Sequence, residues 1–368
     1  MLTTGDVRTA EKTSLSVFGQ LAEHEHEQVA FCYDEATGLK SIIAIHNTVL
    51  GPALGGTRMW NYATEADALY DVLRLSRGMT YKAAISGINL GGGKAVIIAD
   101  PYRDKSEHLF RRYGRFVDGL AGRYITAEDV GTSTEDMEYI HMETDFVTGV
   151  PEYLGGGGDP SPVTAYGVYL GMKAAAKVAW GNDSLRGKKV LVQGVGHVGN
   201  YLVSHLAKEG AEIFIADIKE DRLKKTAKEF GAKVVDVDGE YDLDMDIYAP
   251  CALGATLNDD TIPRLKCQIV AGSANNQLKD EKVHGHMLAD KGILYAPDFL
   301  INAGGLINCY AELEGYNRNR AYGYTEKIYQ RTLDLFDYAG KHNLTPHEAA
   351  IRMAEERIAA AAKLQARF

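Results

Sequence analysis

Apolar positions change period along the chain. Near the start, "EQVAFCYD" and "KSIIAIHNTV" are short runs rich in β-branched and aromatic residues, separated by "EATG", and they predict an antiparallel pair of strands. "TEADALYDVLRLSRGMTYKAAIS" then places apolar residues at Ala66, Leu69, Val72 and Leu73, a helical spacing with Thr64 as N-cap. In "SGINLGGGKAVIIAD" the glycines read as a loop and residues 95–99 as the strand that follows it. A helix over about 106–120 and the short strand "RYIT" complete a mixed sheet flanked by helices.

Residues 149–167, "GVPEYLGGGGDPSPVTAYG", form the stretch densest in Gly and Pro and predict a loop between domains or over a cleft. After the helix "TAYGVYLGMKAAAKVAWG" the pattern becomes strand, turn, helix, strand: "KKVLVQG", "VGNYLVSHLAKEG", "AEIFIADI", with later strands at "DIYAP", "CQIVAGSA" and "GILYAPD". That order predicts a doubly wound parallel sheet. The Ala-rich end from Thr345 predicts a helix opened by a Thr-Pro cap. The fold class is α/β with two domains.

Composition narrows the function. The 368 residues, 45% hydrophobic and 24% charged, suit a soluble chain of about two domains. A net charge of −10 without a long basic run argues against nucleic acid as partner. The N-terminus lacks the basic and apolar regions of a signal peptide, and no apolar run approaches the length of a membrane helix. Cys32, Cys251, Cys267 and Cys309 are scattered, as buried free thiols in a reducing cytoplasm would be. "EHEHE" lacks metal-ligand spacing and reads as a solvated charge run, so no metal is expected.

Three motifs carry chemistry. "VLVQGVGHVGNYL" has G-x-G-x-x-G at Gly194, Gly196 and Gly199, after a strand and opening a helix, with Asp217 ending the next strand. This is the dinucleotide fingerprint: the glycines admit a pyrophosphate to the helix N-terminus, and Asp217 accepts from ribose hydroxyls and repels a 2′-phosphate, favouring NAD. The second motif is the pair Lys82 and Lys94. "GGGK" fails as a nucleoside-triphosphate loop, because Ile88 stands where a glycine is required and Ala95 follows the lysine. Both ammonium groups can face one cleft; one holds a carboxylate, and the other, desolvated beside a like charge, is expected to have a lowered pKa and act as base. Third, Glu128 and Asp129 in "TAEDVGT" follow a strand and supply an acid. Read from residues alone, each has a plainer alternative: solvated lysines, a turn aspartate, a glycine-punctuated turn.

Together "GPALGGTR", "MTYKAA", "NLGGGKAVI", "TAEDVGT", "QGVGHVG", "GSANNQL" and "APDFLINAGGLIN" resemble the amino-acid dehydrogenases of the glutamate, leucine, phenylalanine and valine group, over nearly the whole chain. The resemblance implies that Lys82 binds the substrate carboxylate, Lys94 is the base and Asp129 shuttles protons. It places Leu54, Gly55 and Gly56 along the substrate wall, with Asn275 nearby. Thr164, Asn275 and Asn302 would bracket the nicotinamide, and the 194–199 loop, His197 and Val198 included, would hold the pyrophosphate. It implies an NAD-dependent, reversible oxidative deamination of an L-amino acid to a 2-oxo acid and ammonia. The implied domains are 1–148 with a returning helix at about 343–368, for substrate binding and oligomerisation, and 149–342 for NAD. A homo-oligomer, an octamer, is implied too. The side-chain pocket is expected at Leu54, Ala127, Val147 or Thr148, and Leu306. It suits leucine, valine or isoleucine; Leu306 leaves an aromatic substrate open. From another class, a catalytically silent NAD-binding regulator would keep the fold but lose one of Lys82, Lys94 and Asp129.

Overall fold

The computed structural model describes residues 17–365; the stretch read for a signal peptide and the last three residues lie outside it. The first domain runs α1 (Val17–His24), β1 (Gln28–Asp34), β2 (Leu39–Asn47), β3 (Ala53–Leu54), β4 (Thr57–Trp60), α2 (Glu65–Ile85), β5 (Gly91–Ile98), α3 (Glu107–Asp118), β6 (Tyr124–Ile125) and α4 (Thr134–His141). Its sheet has the order β1-β2-β5-β3-β6, with β4 also paired to β5. β1 and β2 are antiparallel, as their patterns predict. Alternation along β2 divides the core: Ile42 and Ala44 pack with Val72 and Leu73 of α2, while Ile43 and Ile45 pack with Phe110 and Tyr113 of α3. α2 starts where expected. The Thr64 side chain accepts from the Asp67 N–H, acids occupy the first turn, and Lys82 sits in the last, matching the helix dipole.

The glycines 91–93 are not a loop. They lie inside β5, where Gly91 and Gly92 face β3 and Gly93 faces Ile45 of β2. The reason is tertiary. A Cβ on Gly92 would sit 2.1 Å from the Thr80 backbone nitrogen of α2, and one on Gly93 would sit 2.7 Å from the Tyr124 ring. Bare backbone therefore lets α2 and β6 close on the strand that carries Lys94.

The second domain contains α5 (Ser161–Trp180), β7 (Lys189–Gln193), α6 (His197–Glu209), β8 (Glu212–Ala216), α7 (Glu220–Phe230), β9 (Lys233–Val234), β10 (Ile247–Pro250), β11 (Ile269–Val270), α8 (Glu281–Asp290), β12 (Leu294–Tyr295), α9 (Asp298–Ile301), α10 (Gly304–Glu312) and α11 (Arg318–His342). All its strand pairs are parallel, in the order β12-β11-β10-β7-β8-β9. The strand order reverses between β7 and β10, the switch point where open α/β sheets bind ligands. α5 begins at Ser161, inside the stretch read as loop, because Pro162 suits a first helical turn. α12 (Pro346–Gln365) opens with a reciprocal cap: the Thr345 hydroxyl accepts from the Glu348 N–H at 3.3 Å, and Glu348 accepts from the Thr345 N–H at 2.8 Å. It packs on α2, where Arg357 Nη1 donates to the Ala84 carbonyl at 2.9 Å and the Tyr81 hydroxyl to Glu355 at 3.1 Å.

Candidate active site

A cavity of about 400 Å³ lies between the two domains. Lys82 and Lys94 reach it from neighbouring elements, α2 and β5. Asp129 reaches it from the turn after β6, which is tied by its own N–H to the Thr132 hydroxyl at 2.9 Å. The strand formed by β3 and β4 is interrupted at Gly55 and Gly56. A Cβ on Gly55 would stand 1.7 Å from the Gly93 carbonyl oxygen, and one on Gly56 would stand 2.2 Å from that of Glu128. Two glycines thus let three backbone segments meet and bring the 128–129 turn against Lys94.

Lys94, buried, makes an ion pair with Asp129 Oδ1 at 3.0 Å. The other carboxylate oxygen of Asp129 accepts from Arg58 Nε at 2.9 Å, and Arg58 Nη1 also reaches Asp71 at 2.9 Å. Burial pushes the Asp129 carboxyl up, but the Lys94 and Arg58 charges outweigh it and hold it below its usual value. Lys82 donates to Asn275 Oδ1 at 3.4 Å across the interdomain cleft. Burial, aided by the Lys94 charge and opposed by Asp298 and Asp129, lowers Lys82 to about 8. The sequence pattern places the lowered amine at Lys94. It does not foresee the lowering at Lys82, nor that Lys94 forms an ion pair whose counterion arrives from a distant turn. Glu128, also on the cavity, is raised to about 7 by burial and by the Asp159 and Glu312 carboxylates.

Leu54, Ala127, Leu306 and Cys309 give the cavity apolar lining. Thr148, expected on this wall, lies one layer behind: it is 1% exposed and donates to the Thr126 carbonyl at 3.4 Å. Val147, its alternative, packs into the core of the first domain. Gly55 is likewise behind the surface, against Gly93. Burial pushes the Cys309 thiol up to about 12, so it acts as an apolar wall. Thr164, Val198, Asn275 and Asn302 face the cavity from the second domain.

The turn from β7 into α6 suits a dinucleotide. Gly194 has φ +91°, and a Cβ on Gly199 would lie 2.0 Å from the Gly194 carbonyl, so both positions need glycine. Gly196 faces open space: a Cβ there would have Arg222 Nη1 as its nearest neighbour, at 3.7 Å, and no side chain caps the helix. The first N–H groups of α6, from His197 on, are thus free for a pyrophosphate. The Asp217 carboxylate ties the turn, accepting from the N–H of Val195 and of Lys219, each at 2.8 Å. Asn302 Nδ2 donates to Asn275 Oδ1 at 2.8 Å and to the Ser273 carbonyl at 3.0 Å, while its buried Oδ1 has no partner among the described residues. An unpaired buried acceptor beside the turn fits an incoming amide N–H such as the nicotinamide carboxamide.

Sequence reading missed Arg58, Glu128 as a perturbed acid, and Cys309 as wall. Arg58 stands in the quoted "GPALGGTR"; its role depends on Asp71 and Asp129, which only folding brings to it. His26, in the discounted "EHEHE", is half-buried and lies 2.7 Å from the Ser76 hydroxyl instead of being fully solvated.

Comparison with known proteins agrees with this geometry. Residues 26–146 match the Glu/Leu/Phe/Val dehydrogenase dimerisation domain, and residues 155–219 and 214–366 match the Glutamate/Leucine/Phenylalanine/Valine dehydrogenase family. The chain is 57% identical over 354 residues to leucine dehydrogenase of Thermoactinomyces intermedius, covering 96% of each. It is 50% identical over 342 residues to L-tryptophan dehydrogenase of Nostoc punctiforme, covering 93% of this chain and 96% of that one. The crystal structure of L-tryptophan dehydrogenase from Nostoc punctiforme superposes with a TM-score of 0.83 at 48% identity, covering 94% of this chain and 99% of that one. A cleft with two lysines and an aspartate, facing a dinucleotide turn in a chain this similar throughout, is shared ancestry: the protein belongs to the Glu/Leu/Phe/Val dehydrogenase family of amino-acid dehydrogenases.

Proposed function

We propose that the protein catalyses the NAD-dependent, reversible oxidative deamination of a branched-chain L-amino acid, L-leucine foremost with valine and isoleucine, to the 2-oxo acid and ammonia. The observation that carries this reading is the convergence of Lys82, Lys94 and Asp129 on one cavity. Lys82 holds the substrate carboxylate, and Asp129 receives the α-amine. A cationic amine beside Asp129 competes for the carboxylate that Lys94 holds, which favours release of the Lys94 proton. The bound nicotinamide supplies the hydride acceptor for Cα. Asp129 takes a proton from the α-ammonium so that the nitrogen lone pair forms the C=N bond as hydride leaves Cα. Lys94 then takes a proton from the water that adds to the imino carbon, and Asp129 returns its proton to the carbinolamine nitrogen. The carbinolamine hydroxyl passes its proton to the Asp129 carboxylate as the C–N bond breaks, releasing ammonia and the 2-oxo acid. Asn302 and Thr164 orient the nicotinamide ring, the α6 N-terminus binds the pyrophosphate, and Asp217 selects NAD by charge.

The wall of Leu54, Ala127, Leu306 and Cys309 supports an aliphatic side chain. A glutamate side chain would strand a carboxylate there. The 57% identity to a leucine dehydrogenase, against 50% to a tryptophan dehydrogenase, points the same way. The test is NADH formation at 340 nm across Leu, Val, Ile, Phe, Trp and Glu. Leucine should give the highest kcat/KM; a preference for Phe or Trp would overturn the substrate assignment.

A homo-oligomer, an octamer, built through the first domain is part of this proposal. β1 is a sheet edge with Phe31 60% and Tyr33 64% exposed, an unpartnered apolar strand of the kind that pairs with another. Light scattering that returns a single-chain mass would refute it. Four unpaired cysteines fit the reducing cytoplasm.

A further inference from the structure

Behind the cleft, where α2 ends, a second cavity of about 420 Å³ opens between α2, α11 and α12. Its floor is Ala84, Ile85 and Met353, and its rim carries Lys327, Arg331 and Arg357 against the single carboxylate of Asp334. Neither guanidinium lies within 4.0 Å of a carboxylate among the described residues. Arg357 is accounted for as a cap: its Nη1 donates to the carbonyls of Ala84 and Ile88, each at 2.9 Å, and its Nη2 to Asn89 Oδ1 at 2.8 Å. Arg331 is not. Its single hydrogen bond is a long one, 3.4 Å from Nη1 to the Ile85 carbonyl. Its guanidinium lies flat against Gly87, where a Cβ would be 1.7 Å from Nη1. The backbone has made room for a cation that Asp334 offsets only from beyond ion-pair reach.

We propose that this pocket binds the phosphate group of a small molecule, gripped by Arg331 and Arg357 with Lys327 at the rim. Arg331 has only its one long bond, and Arg357 keeps its Nε–H and one Nη2–H beyond the cap, so N–H donors remain for phosphate oxygens. Burial holds Arg331 and Arg357 below the usual arginine range; the Arg331 charge lowers Arg357 further, while Asp334 partly offsets the effect at Arg331. An anion between them removes that repulsion. The apolar floor and the size of the cavity leave space beside the phosphate for an organic group. Since the same guanidiniums hold the carbonyls just beyond Lys82, the ligand would fix the end of the helix that carries the carboxylate-binding lysine.

The test uses the full-length protein saturated with NAD, so that the dinucleotide site is closed to phosphate. Titration calorimetry with inorganic phosphate, and separately with AMP, should show saturable binding that weakens about tenfold or more in Arg331→Gln, the loss expected for one charge-assisted fork. Tighter binding of AMP than of phosphate identifies a nucleotide as the source; equal affinity identifies the free ion. NAD affinity should not change. Lys327→Gln, at an exposed position, gives a second reading of about threefold should Arg331→Gln fold poorly. No saturable binding up to about 10 mM phosphate at about 0.1 M salt, or equal affinity in wild type and both variants, would overturn the proposal and leave both arginines as helix caps.

Discussion

Lys94 Nζ and Asp129 Oδ1 lie 3.0 Å apart in a buried ion pair, and Arg58 holds the other oxygen of the same carboxylate. Removing Asp129 strands the buried Lys94 ammonium, whereas removing Lys94 leaves the carboxylate to Arg58 alone. Asp129→Asn should lower kcat by roughly 10²–10⁴, as Lys94→Ala should, with NAD affinity kept in both. Lys82→Ala should instead act mainly on the KM for the amino acid, since a carboxylate anchor is a binding contact. Steady-state kinetics with NAD titrations separate the three; wild-type kinetics in Lys94→Ala would remove it from the base role.

Glu128 gives a pH dependence of stability with a definite sign. Its carboxyl is raised from 4.5 to about 7 in the folded chain, so the folded state holds a proton that the unfolded state has released between those values. Stability therefore falls as pH rises from 4.5 to about 7. Glu128→Gln should remove that slope, gaining at most about 3 kcal/mol over wild type at pH 8 and little at pH 4. Thermal melts at the two pH values check it; a gain that is the same at both contradicts the assignment.

Gly55→Ala should cost about 3 kcal/mol or more, because the new methyl meets a backbone carbonyl oxygen that cannot move aside. Gly323→Ala, in α11 with nothing within 4 Å of the added carbon, should gain about 0.5–1 kcal/mol. Urea denaturation of the two variants should place them on opposite sides of wild type.

At the side-chain wall, Ala127→Gly enlarges the pocket by one methyl group, worth about 1–3 kcal/mol of discrimination. It should raise kcat/KM for phenylalanine relative to leucine by about tenfold, and Leu306→Val, which removes the residue that leaves an aromatic substrate open, should lower that ratio. A ratio unchanged in both variants would move the specificity determinant away from these residues.

Asp217 ties the turn and, in the proposed function, also selects the cofactor. Asp217→Ser should raise the use of NADP relative to NAD, and it should also lower Tm, because the Val195 and Lys219 N–H groups lose their acceptor. Cofactor kinetics and a melting curve on one variant test both; a cofactor switch at constant Tm would show that the turn holds without it.

What is legible in the sequence is what neighbours in the chain decide. The caps at Thr64 and Thr345 are local, and so are the strand, turn and helix around Gly194, Gly196 and Gly199. Residues 91–93 read as a loop because the atoms that forbid a side chain there, on Asn47, Thr80 and Tyr124, are far away in sequence. The same cause hides Arg58 and the lowered amine of Lys82: burial and the surrounding charges of Asp298, Lys94 and Asp129 set the acidity of Lys82, and only the folded cleft assembles them.

The contact from Lys82 to Asn275, itself clasped by Asn302, is one long hydrogen bond across the cleft, beside that of Arg331 to the Ile85 carbonyl. An ammonium has three donors, so a carboxylate arriving there can be held while Asn275 keeps its own, and the bound amino acid then adds a bridge between the lobes.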